Sequence, residues 1–198
     1  MPYEKEKKYI LYLKDEDRDM FIAKNSNKIQ KAGIIQWYLI EEIRIRLQIE
    51  YMNGNFHEKW IEGRKTLTDN VLIRKEDEKN FIPENSSFIQ NLSNYPFVIK
   101  IRHYLKTVKN VKECILDEFL IEKHPNTGNL KYLMEIELIN EKTGDEVFDN
   151  QLKILNFMNF KYEDVTSHKK YSNKYLAVKN KKANQQELIE HLKKILVG

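Results

Sequence analysis

Apolar and polar residues alternate one by one along several short segments of this chain. In residues 43–50 every odd position is apolar and every even position is polar. Successive side chains of a β-strand point to opposite faces of the sheet, so this alternation predicts a strand with one apolar and one polar face. Residues 97–105 and 132–139 show the same pattern. The chain is therefore expected to form a sheet whose two faces differ in polarity.

About eight segments fit short strands separated by turns, which predicts an antiparallel sheet or barrel. They are the opening stretch and residues 33–40, 43–50, 57–65, 72–78, 97–105, 113–121 and 132–139. Helical periodicity is weaker, and it fits residues 15–24, 84–92, 144–157 and 184–197. The predicted fold class is α+β, dominated by strands.

The composition narrows the class of protein. With 198 residues, 41% of them hydrophobic, the chain is long enough for one domain with a buried core. Cys114 is the only cysteine, which excludes an intramolecular disulfide. No segment approaches the roughly 18 uninterrupted apolar residues of a membrane span, and no apolar signal segment opens the chain. We therefore expect a cytoplasmic protein that does not enter a membrane.

The polar strand faces carry charges at two-residue spacing, and several faces carry charges of one sign. The groups are Glu4, Glu6 and Lys8; Arg44 and Arg46; Arg74, Glu76 and Glu78; Lys100 and Arg102; and Glu135 and Glu137. For any one strand, a solvated face of an antiparallel sheet is the simpler explanation. Like charges on one strand face repel each other, however, so five such faces together indicate a bound counter-charge.

If the sheet closes with these faces inward, carboxylates and basic groups line one lumen. Carboxylate oxygens select Mg²⁺ or Mn²⁺, whereas arginine and lysine side chains bind phosphate oxygens. Buried charges need partners or water, so such a lumen has to be wide and wet. The pattern therefore points to a polyanion bound together with its divalent metal ion.

The first strand also carries a motif of a known family. Glu4-x-Glu6-x-Lys8 resembles the ExExK signature of the CYTH superfamily, the triphosphate tunnel metalloenzymes. Other segments between residues 3 and 177 resemble further motifs of that family, in the family's order. They are Gln36 to Leu39, Arg44-x-Arg46, Trp60 to Lys65, Arg74-x-Glu76-x-Glu78, Lys100-x-Arg102 with Tyr104, Leu116 to Phe119, Glu135-x-Glu137 and residues 164–177, which run into a short helix.

The resemblance implies a closed eight-stranded antiparallel β-barrel, a triphosphate tunnel with helices packed outside. Residues 1–198 would form one such domain, with the C-terminal helix at about 184–197 as an appendage. The implied ligands for Mg²⁺ or Mn²⁺ are Glu4, Glu6, Glu135 and Glu137. The implied phosphate-binding residues are Lys8, Arg44, Arg46, Lys65, Arg74, Lys100, Arg102 and Lys169. Tyr38 and Lys65 would be the pair that activates water.

Three features depart from the family's pattern. Trp37 stands where glycine is usual, and the hairpin between Tyr38 and Arg44 is short. The segment after Lys65 is longer than in many relatives, which leaves Arg64 as an alternative inward group. Strand alternation decides between Arg64 and Lys65 only if the strand carries no bulge.

The implied function is metal-dependent hydrolysis of a triphosphate, either inorganic tripolyphosphate or a nucleoside or other organic triphosphate such as thiamine triphosphate. A CYTH-type adenylyl cyclase, which makes cyclic AMP and pyrophosphate from ATP, is the alternative. A non-catalytic module that binds polyphosphate or a nucleotide is the third hypothesis. A nucleic acid is expected only as an RNA 5′ triphosphate. The apolar stripe Leu188, Leu192 and Ile195 of the last helix fits packing on the barrel or a homodimer contact.

Overall fold

The computed structural model describes residues 3–26, 30–40, 43–121, 127–157, 159–180 and 183–198. Within these residues we find no helix that is both long enough and apolar enough to cross a membrane. The elements are β1 (Tyr3–Tyr12), α1 (Asp15–Asn25), β2 (Lys31–Tyr38), β3 (Ile43–Met52), β4 (Asn55–Leu67), β5 (Ile73–Phe81), α2 (Ser86–Asn91), β6 (Phe97–Tyr104), β7 (Val111–Phe119), β8 (Tyr132–Leu138), α3 (Glu146–Ile154), β9 (Lys161–Asp164), α4 (Asn173–Leu176) and α5 (Gln185–Val197). Two 3₁₀ turns, Leu92–Asn94 and Lys169–Tyr171, lie between them.

β1 closes the sheet into a barrel. The strands are antiparallel neighbours in the order β5, β4, β3, β2, β6, β7, β8, β1. β1 pairs with β8 through residues 5–10, and at its other edge it pairs with β5 through residues 3–5. The short β9 continues that second edge along residues 9–12 of β1. The closed eight-stranded antiparallel barrel predicted from the sequence is therefore confirmed.

The outer face of the barrel is apolar and is covered by helices. Met134 of β8 is fully buried in one cluster with Phe21 of α1 and Phe148 of α3. A second cluster joins Trp37 of β2 to Leu192 of α5. A strand with one apolar face has to bury that face against another element, and here the helices provide the cover. The charged strand faces are thereby left to the lumen.

The position of Trp37 on this outer face explains its departure from the family pattern. Its ring stacks on Trp60 with the ring centroids 5.9 Å apart. Its Nε1 donates a hydrogen bond to Gln185 Oε1 of α5 at 2.9 Å. On the same strand, a Cβ at Gly33 would lie 3.3 Å from Leu192 of α5. α5 thus packs on the large ring of Trp37 at one point of β2 and approaches the β2 backbone closely at Gly33.

The lumen is not charged along its whole length. Ile10, Val98, Phe119 and Leu133 form an apolar cluster with Leu176 of α4. On their strands these four residues share the faces of the inward charges, because they lie two residues or a multiple of two away from them. We call these five residues the apolar plug. It fills part of the lumen at the end where β1 and β7 end.

The helices lie close to their predicted positions. α1 and α5 match residues 15–24 and 184–197 to within one residue at each end, whereas α2 and α3 are shorter than predicted. The short helix expected within residues 164–177 is α4. β9 was not predicted, because all four of its residues are exposed and no polarity pattern marks them as a strand.

The substitution Leu192→Ala should destabilise the protein, because this side chain is fully buried between α5 and the barrel. Truncating a buried leucine costs about 2–5 kcal/mol in the free energy of unfolding, which urea denaturation followed by circular dichroism measures. Val197→Ala, at an exposed position of the same helix, should change that free energy by less than about 0.5 kcal/mol. Equally small effects would show that α5 is an appendage outside the cooperative unit.

Candidate active site

The barrel lumen holds a cavity of about 650 Å³. All eight barrel strands contribute side chains to its wall, since every second residue of a barrel strand points inward. The predicted site residues in this wall are Glu4, Glu6, Lys8, Tyr38, Arg44, Arg46, Lys65, Arg74, Arg102, Glu135, Glu137 and Lys169. Of the predicted site residues, all of which the structure describes, Lys100 is the one that does not line the cavity.

Two ammonium groups lie between the carboxylates that the sequence predicts as metal ligands. Lys65 Nζ is 2.8 Å from Glu4 Oε2 and 2.9 Å from Glu6 Oε2. Lys8 contacts Glu135 directly and lies 3.6 Å from Glu6 Oε1. Burial acts to raise the pKa of Glu6, but Lys65 and Lys8 outweigh burial and lower that pKa to about 2. The Glu6 carboxylate is therefore ionised, and the carboxylates of Glu4, Glu6 and Glu135 already hold cations supplied by the chain itself.

β4 turns Lys65 inward and Arg64 outward. The pairing of β4 with β5 runs in unbroken register from Trp60 to Leu67, so no bulge exchanges the two faces. Arg64 is exposed, whereas Lys65 lines the cavity. The alternative that the sequence left open is resolved in favour of Lys65.

Glu137 stands at the edge of this cluster, directly opposite Glu6 in the register of β1 and β8. Its carboxylate accepts a hydrogen bond from Lys112 Nζ at 2.6 Å. Burial raises the pKa of Glu137, because Lys112 offsets only part of the cost of removing this carboxylate from water. A further cation near Glu137 would stabilise its ionised form.

The two arginines of β3 are bound to acidic residues of β5. Arg46 Nη2 is 2.9 Å from both carboxylate oxygens of Glu78, and Arg44 Nη2 is 2.8 Å from Glu78 Oε1. Arg44 also contacts Glu76. Gly63 lies opposite Arg44 on β4, and a Cβ there would be 3.1 Å from Arg44 Nε and 3.4 Å from Glu78 Cγ. Because Gly63 has no Cβ, the side chains of Arg44 and Glu78 have space to meet there.

Lys100 and Arg102 share one fully buried carboxylate, that of Asp117 on β7. Arg102 donates from Nε to Asp117 Oδ1 at 2.9 Å and from Nη2 to Oδ2 at 3.1 Å, a bidentate contact. Lys100 contacts Asp117 directly, and its Nζ also donates to Asn173 Oδ1 of α4 at 3.2 Å. Burial acts to raise the pKa of Asp117, but Arg102 and Lys100 lower it. Lys100 thus lies behind the cavity wall, and its role as a phosphate contact stays a prediction.

Tyr38 and Lys65, the predicted water-activating pair, line the same cavity but have different partners. The Tyr38 hydroxyl accepts a hydrogen bond from Gln36 Nε2. Burial raises the pKa of Tyr38, and the cations that oppose this effect are Arg44 and Lys8. Burial lowers the pKa of Lys65. Burial thus favours the neutral form of each group of the pair.

Arg74 and Lys169 lie at the margins of the cavity. Arg74 donates from Nη1 to the backbone oxygen of Val71 at 2.5 Å, and its Nε is 3.9 Å from Glu6 Oε1. Lys169 is exposed in a 3₁₀ turn. Their assignment to phosphate binding stays a prediction, since Arg74 is partly engaged by backbone and Lys169 is solvated.

The donor types fit a hard divalent cation, but the carboxylates do not surround one point. Among the residues that the structure describes, no three His, Cys, Asp or Glu side chains stand close enough together to hold a metal ion. The contacts of Lys8 and Lys65 separate them instead. Four carboxylates on two adjacent strands nevertheless match the ligand class that Mg²⁺ and Mn²⁺ prefer. Metal binding here requires the ammonium groups to leave these carboxylates.

Several further residues shape the cavity, and the sequence assigned no role to them. They are Gln36, Gln48, Glu76, Glu78, Tyr104, Glu113 and, behind the wall, Asp117. The alternation on β5 had shown Glu76 and Glu78 as a charged face, but not that they hold arginines. A register shift between Val111 and Glu113 obscures the alternation on β7. Two adjacent acidic residues inside an apolar run, Asp117 and Glu118, were the remaining signal.

The substitution Asp117→Asn should destabilise the protein by about 3–5 kcal/mol, because it leaves buried cations without their carboxylate. Denaturant unfolding at pH 7 measures this. Since the pKa of Asp117 is lowered in the folded protein, its contribution is full above the pKa of an unfolded aspartate, about 3.9, and is lost as the pH falls through the folded value. The difference between wild type and variant should therefore shrink below about pH 4.

Glu113→Gln is the matched control for this variant. Glu113 also contacts Arg102, at 3.6 Å, but it is about one-third exposed. Its loss should cost less than about 1 kcal/mol, as for a solvent-screened ion pair. A similar cost for both substitutions would contradict the view that the Asp117 site is a desolvated anchor.

The comparisons with known proteins show the fold. No family model matches the chain, and no curated protein matches it. The chain is similar to the solved structure of the PH1819 protein from Pyrococcus horikoshii OT3, with 19% identity, a TM-score of 0.51, and coverage of 81% of this chain and 93% of that one. At this identity the likeness concerns the fold alone.

Two further solved structures resemble the chain less closely. One is the inorganic triphosphatase NE1496, with 18% identity, a TM-score of 0.45, and coverage of 87% of this chain and 95% of that one. The other is HpAC1 from Hippeastrum, described as having a dominant triphosphatase activity, with 13% identity, a TM-score of 0.45, and coverage of 82% and 91%. The chain thus forms the closed antiparallel barrel that the resemblance to CYTH motifs implied, and the motif residues of β1, β3 and β8 lie in the wall of its lumen.

Proposed function

We propose that this protein is a metal-dependent triphosphatase that acts inside its barrel. The observation that carries the proposal is the composition of one cavity wall, to which seven of the eight barrel strands contribute basic side chains, carboxylates or both. Phosphoryl transfer depends mainly on positioning and on neutralising the charge of phosphate oxygens, and this wall supplies groups for both. A lumen built only for stability would be apolar, as the apolar plug is.

Binding of a triphosphate would proceed by exchange of ion pairs. In the ligand-free cavity Lys8 and Lys65 are held by the glutamates of β1 and β8, and Arg44 and Arg46 by Glu78. Phosphate oxygens would replace these carboxylates as partners of the cations. The forked guanidinium groups suit bidentate contacts to phosphate, whereas the lysines act as point charges.

The carboxylates that Lys8 and Lys65 release in this exchange, Glu4, Glu6 and Glu135, would be proposed metal ligands together with Glu137, which Lys112 holds. A bound Mg²⁺ or Mn²⁺ supplies charge neutralisation at phosphoryl oxygens. The ammonium groups and a divalent cation compete for the same carboxylates, so the two ligands of the cavity would favour each other's binding. This coupling follows because each removes the partner that blocks the other's site.

Tyr38 and Lys65 remain the proposed pair for the attacking water, with roles that differ from one another. Burial keeps the proton on Tyr38 and favours the neutral form of Lys65, so Lys65 would be the proton acceptor of the pair once it has left its carboxylates and released its own proton. The Tyr38 hydroxyl, held by Gln36, would orient the water or a phosphate oxygen by a hydrogen bond. Attack on the terminal phosphorus would then release orthophosphate.

The test is incubation of the purified protein with tripolyphosphate, ATP and thiamine triphosphate, each with Mg²⁺ or Mn²⁺, followed by chromatography of the products. Release of orthophosphate supports the proposal. Formation of cyclic AMP and pyrophosphate from ATP would assign the protein as an adenylyl cyclase instead. Tight binding of these compounds without turnover would identify a binding module.

The substitution Glu137→Ala should reduce orthophosphate release by at least about a hundredfold, because it removes an oxygen ligand from the proposed metal site. Circular dichroism checks that the fold is retained. Glu62→Ala, on the outer face of β4 and paired with Lys79, is the matched control and should keep full activity. Full activity in the Glu137 variant would rule out the proposed metal site.

The substitution Glu135→Gln should strengthen the binding of tripolyphosphate in the absence of metal. It removes the carboxylate that occupies Lys8, and it also removes a like charge from the path of the polyanion. With EDTA present, we expect the Kd from titration calorimetry to fall by at least about threefold, while hydrolysis with Mg²⁺ is lost. Glu62→Gln should leave the Kd unchanged. Weaker metal-free binding in the Glu135 variant would contradict the exchange of ion pairs.

A further inference from the structure

Some side chains of the cavity wall are apolar or aromatic and are not needed to bind phosphate. Val71 and Tyr175 both belong to the cavity wall, and they are 53% and 48% exposed. Ser167 and His168 also line the cavity. Their segment and the loop that bears Val71 meet β1 two residues apart, because the backbone N–H of Lys8 donates to Thr166 Oγ1 and that of Glu6 donates to the backbone oxygen of Leu72. Val71 belongs to the loop between β4 and β5, and the other three belong to the segment that leads through α4. An apolar side chain and an aromatic ring thus border a site whose other walls are charged.

α4 fixes Tyr175 at this position from two sides. Leu176, the next residue, is fully buried in the apolar plug. Asn173, two residues earlier, accepts a hydrogen bond from Lys100 Nζ behind the cavity wall. The Tyr175 backbone N–H also donates to Ser172 O at 3.0 Å. The ring is therefore carried by a turn of helix that is anchored to the barrel interior.

The loop that bears Val71 is held by hydrogen bonds to the barrel as well. Arg74 Nη1 donates to the backbone oxygen of Val71. The neighbouring Leu72 accepts a hydrogen bond from the backbone N–H of Glu6 at 2.9 Å, so the loop is held against β1. Val71 therefore lies directly beside a side chain that would hold phosphate, and Tyr175 lies in the wall of the same cavity on an independently anchored segment.

The size of the cavity fits a ligand larger than a bare phosphate chain. Its volume of about 650 Å³ falls within the range of roughly 300–1,000 Å³ that is typical of sites for organic ligands. A triphosphate group makes use of the charged wall alone. An organic substituent at one end of that group would reach the uncharged part of the wall.

We propose that Tyr175 and Val71 form a subsite for a flat aromatic ring carried by an organic triphosphate, and that Tyr175 selects for such substrates by stacking. The inference rests on the proposed function and narrows its substrate class. A tyrosine ring offers a large stacking face at low entropic cost, and Val71 adds apolar contact area. Nucleobases and the rings of thiamine share this chemistry, and the experiment separates them.

The test compares wild type with Tyr175→Ala and Tyr175→Phe. The dissociation constants for ATP, thiamine triphosphate and tripolyphosphate are measured by calorimetry in EDTA, where no hydrolysis occurs, and kcat/KM is measured with Mg²⁺. Tyr12→Ala is the matched control, because Tyr12 is a comparably exposed tyrosine outside the cavity wall.

Loss of base stacking should raise the Kd of a ring-bearing triphosphate about tenfold in Tyr175→Ala and leave that of tripolyphosphate within about twofold. Tyr175→Phe keeps the stacking face and should behave like wild type. An effect on ATP alone identifies a nucleobase subsite, and an effect on thiamine triphosphate alone identifies a subsite for that ring.

Equal changes for all three ligands, or no change for any of them, would overturn the inference. A wild-type protein that hydrolyses none of the compounds, but binds ATP in a way that depends on Tyr175, would refute the proposed triphosphatase and leave the ring subsite standing. A wild-type protein that binds none of them would refute both.

Discussion

The pairing of charges inside the barrel is the constraint on which the rest of this structure depends. The inward faces of eight strands bring acidic and basic side chains into one lumen, where an unpaired charge would be costly. Apart from the exposed Lys169, each basic group described at the site accordingly has a carboxylate within reach, with Asp117 serving two cations and Glu6 serving several. The charged lumen is stable because its acidic and basic side chains neutralise one another, and a polyanion would have to replace some of these pairs in order to bind there.

The same constraint explains why the molecule is apolar on the outside of its barrel. A sheet whose inner face is charged has only its outer face left for a hydrophobic core, so α1, α3 and α5 have to cover that face. Trp37 and Gly33 make sense in this setting, since both lie where α5 docks on β2. Stability and function are thereby separated between the two sides of one sheet.

The apolar plug and α4 divide the lumen along its length. Leu176 closes part of one end with apolar contacts, and Asn173 joins the helix to the buried pair of Lys100 and Asp117. The segment that bears Tyr175 is consequently positioned by the charged interior itself. A change in the partners of Lys100 would alter its hydrogen bond to Asn173 and so the position of this helix. The ring of Tyr175 and the basic wall are linked through that bond.

The sequence by itself determined the strands, their two faces and the charged residues that share the lumen. Alternation is a local property: once Ile45 and Leu47 face the core, Arg44 and Arg46 must face the other way. Local pattern also placed α1 and α5. It did not reveal β9, whose exposed residues carry no polarity signal, nor the role of Asp117, which depends on the closing of β6 onto β7. Only the tertiary structure decided which acid meets which base, that Lys65 and not Arg64 enters the cavity, and that Lys100 lies behind its wall. These outcomes depend on register, strand tilt and barrel closure, and such long-range geometry is not written in any single segment of the chain.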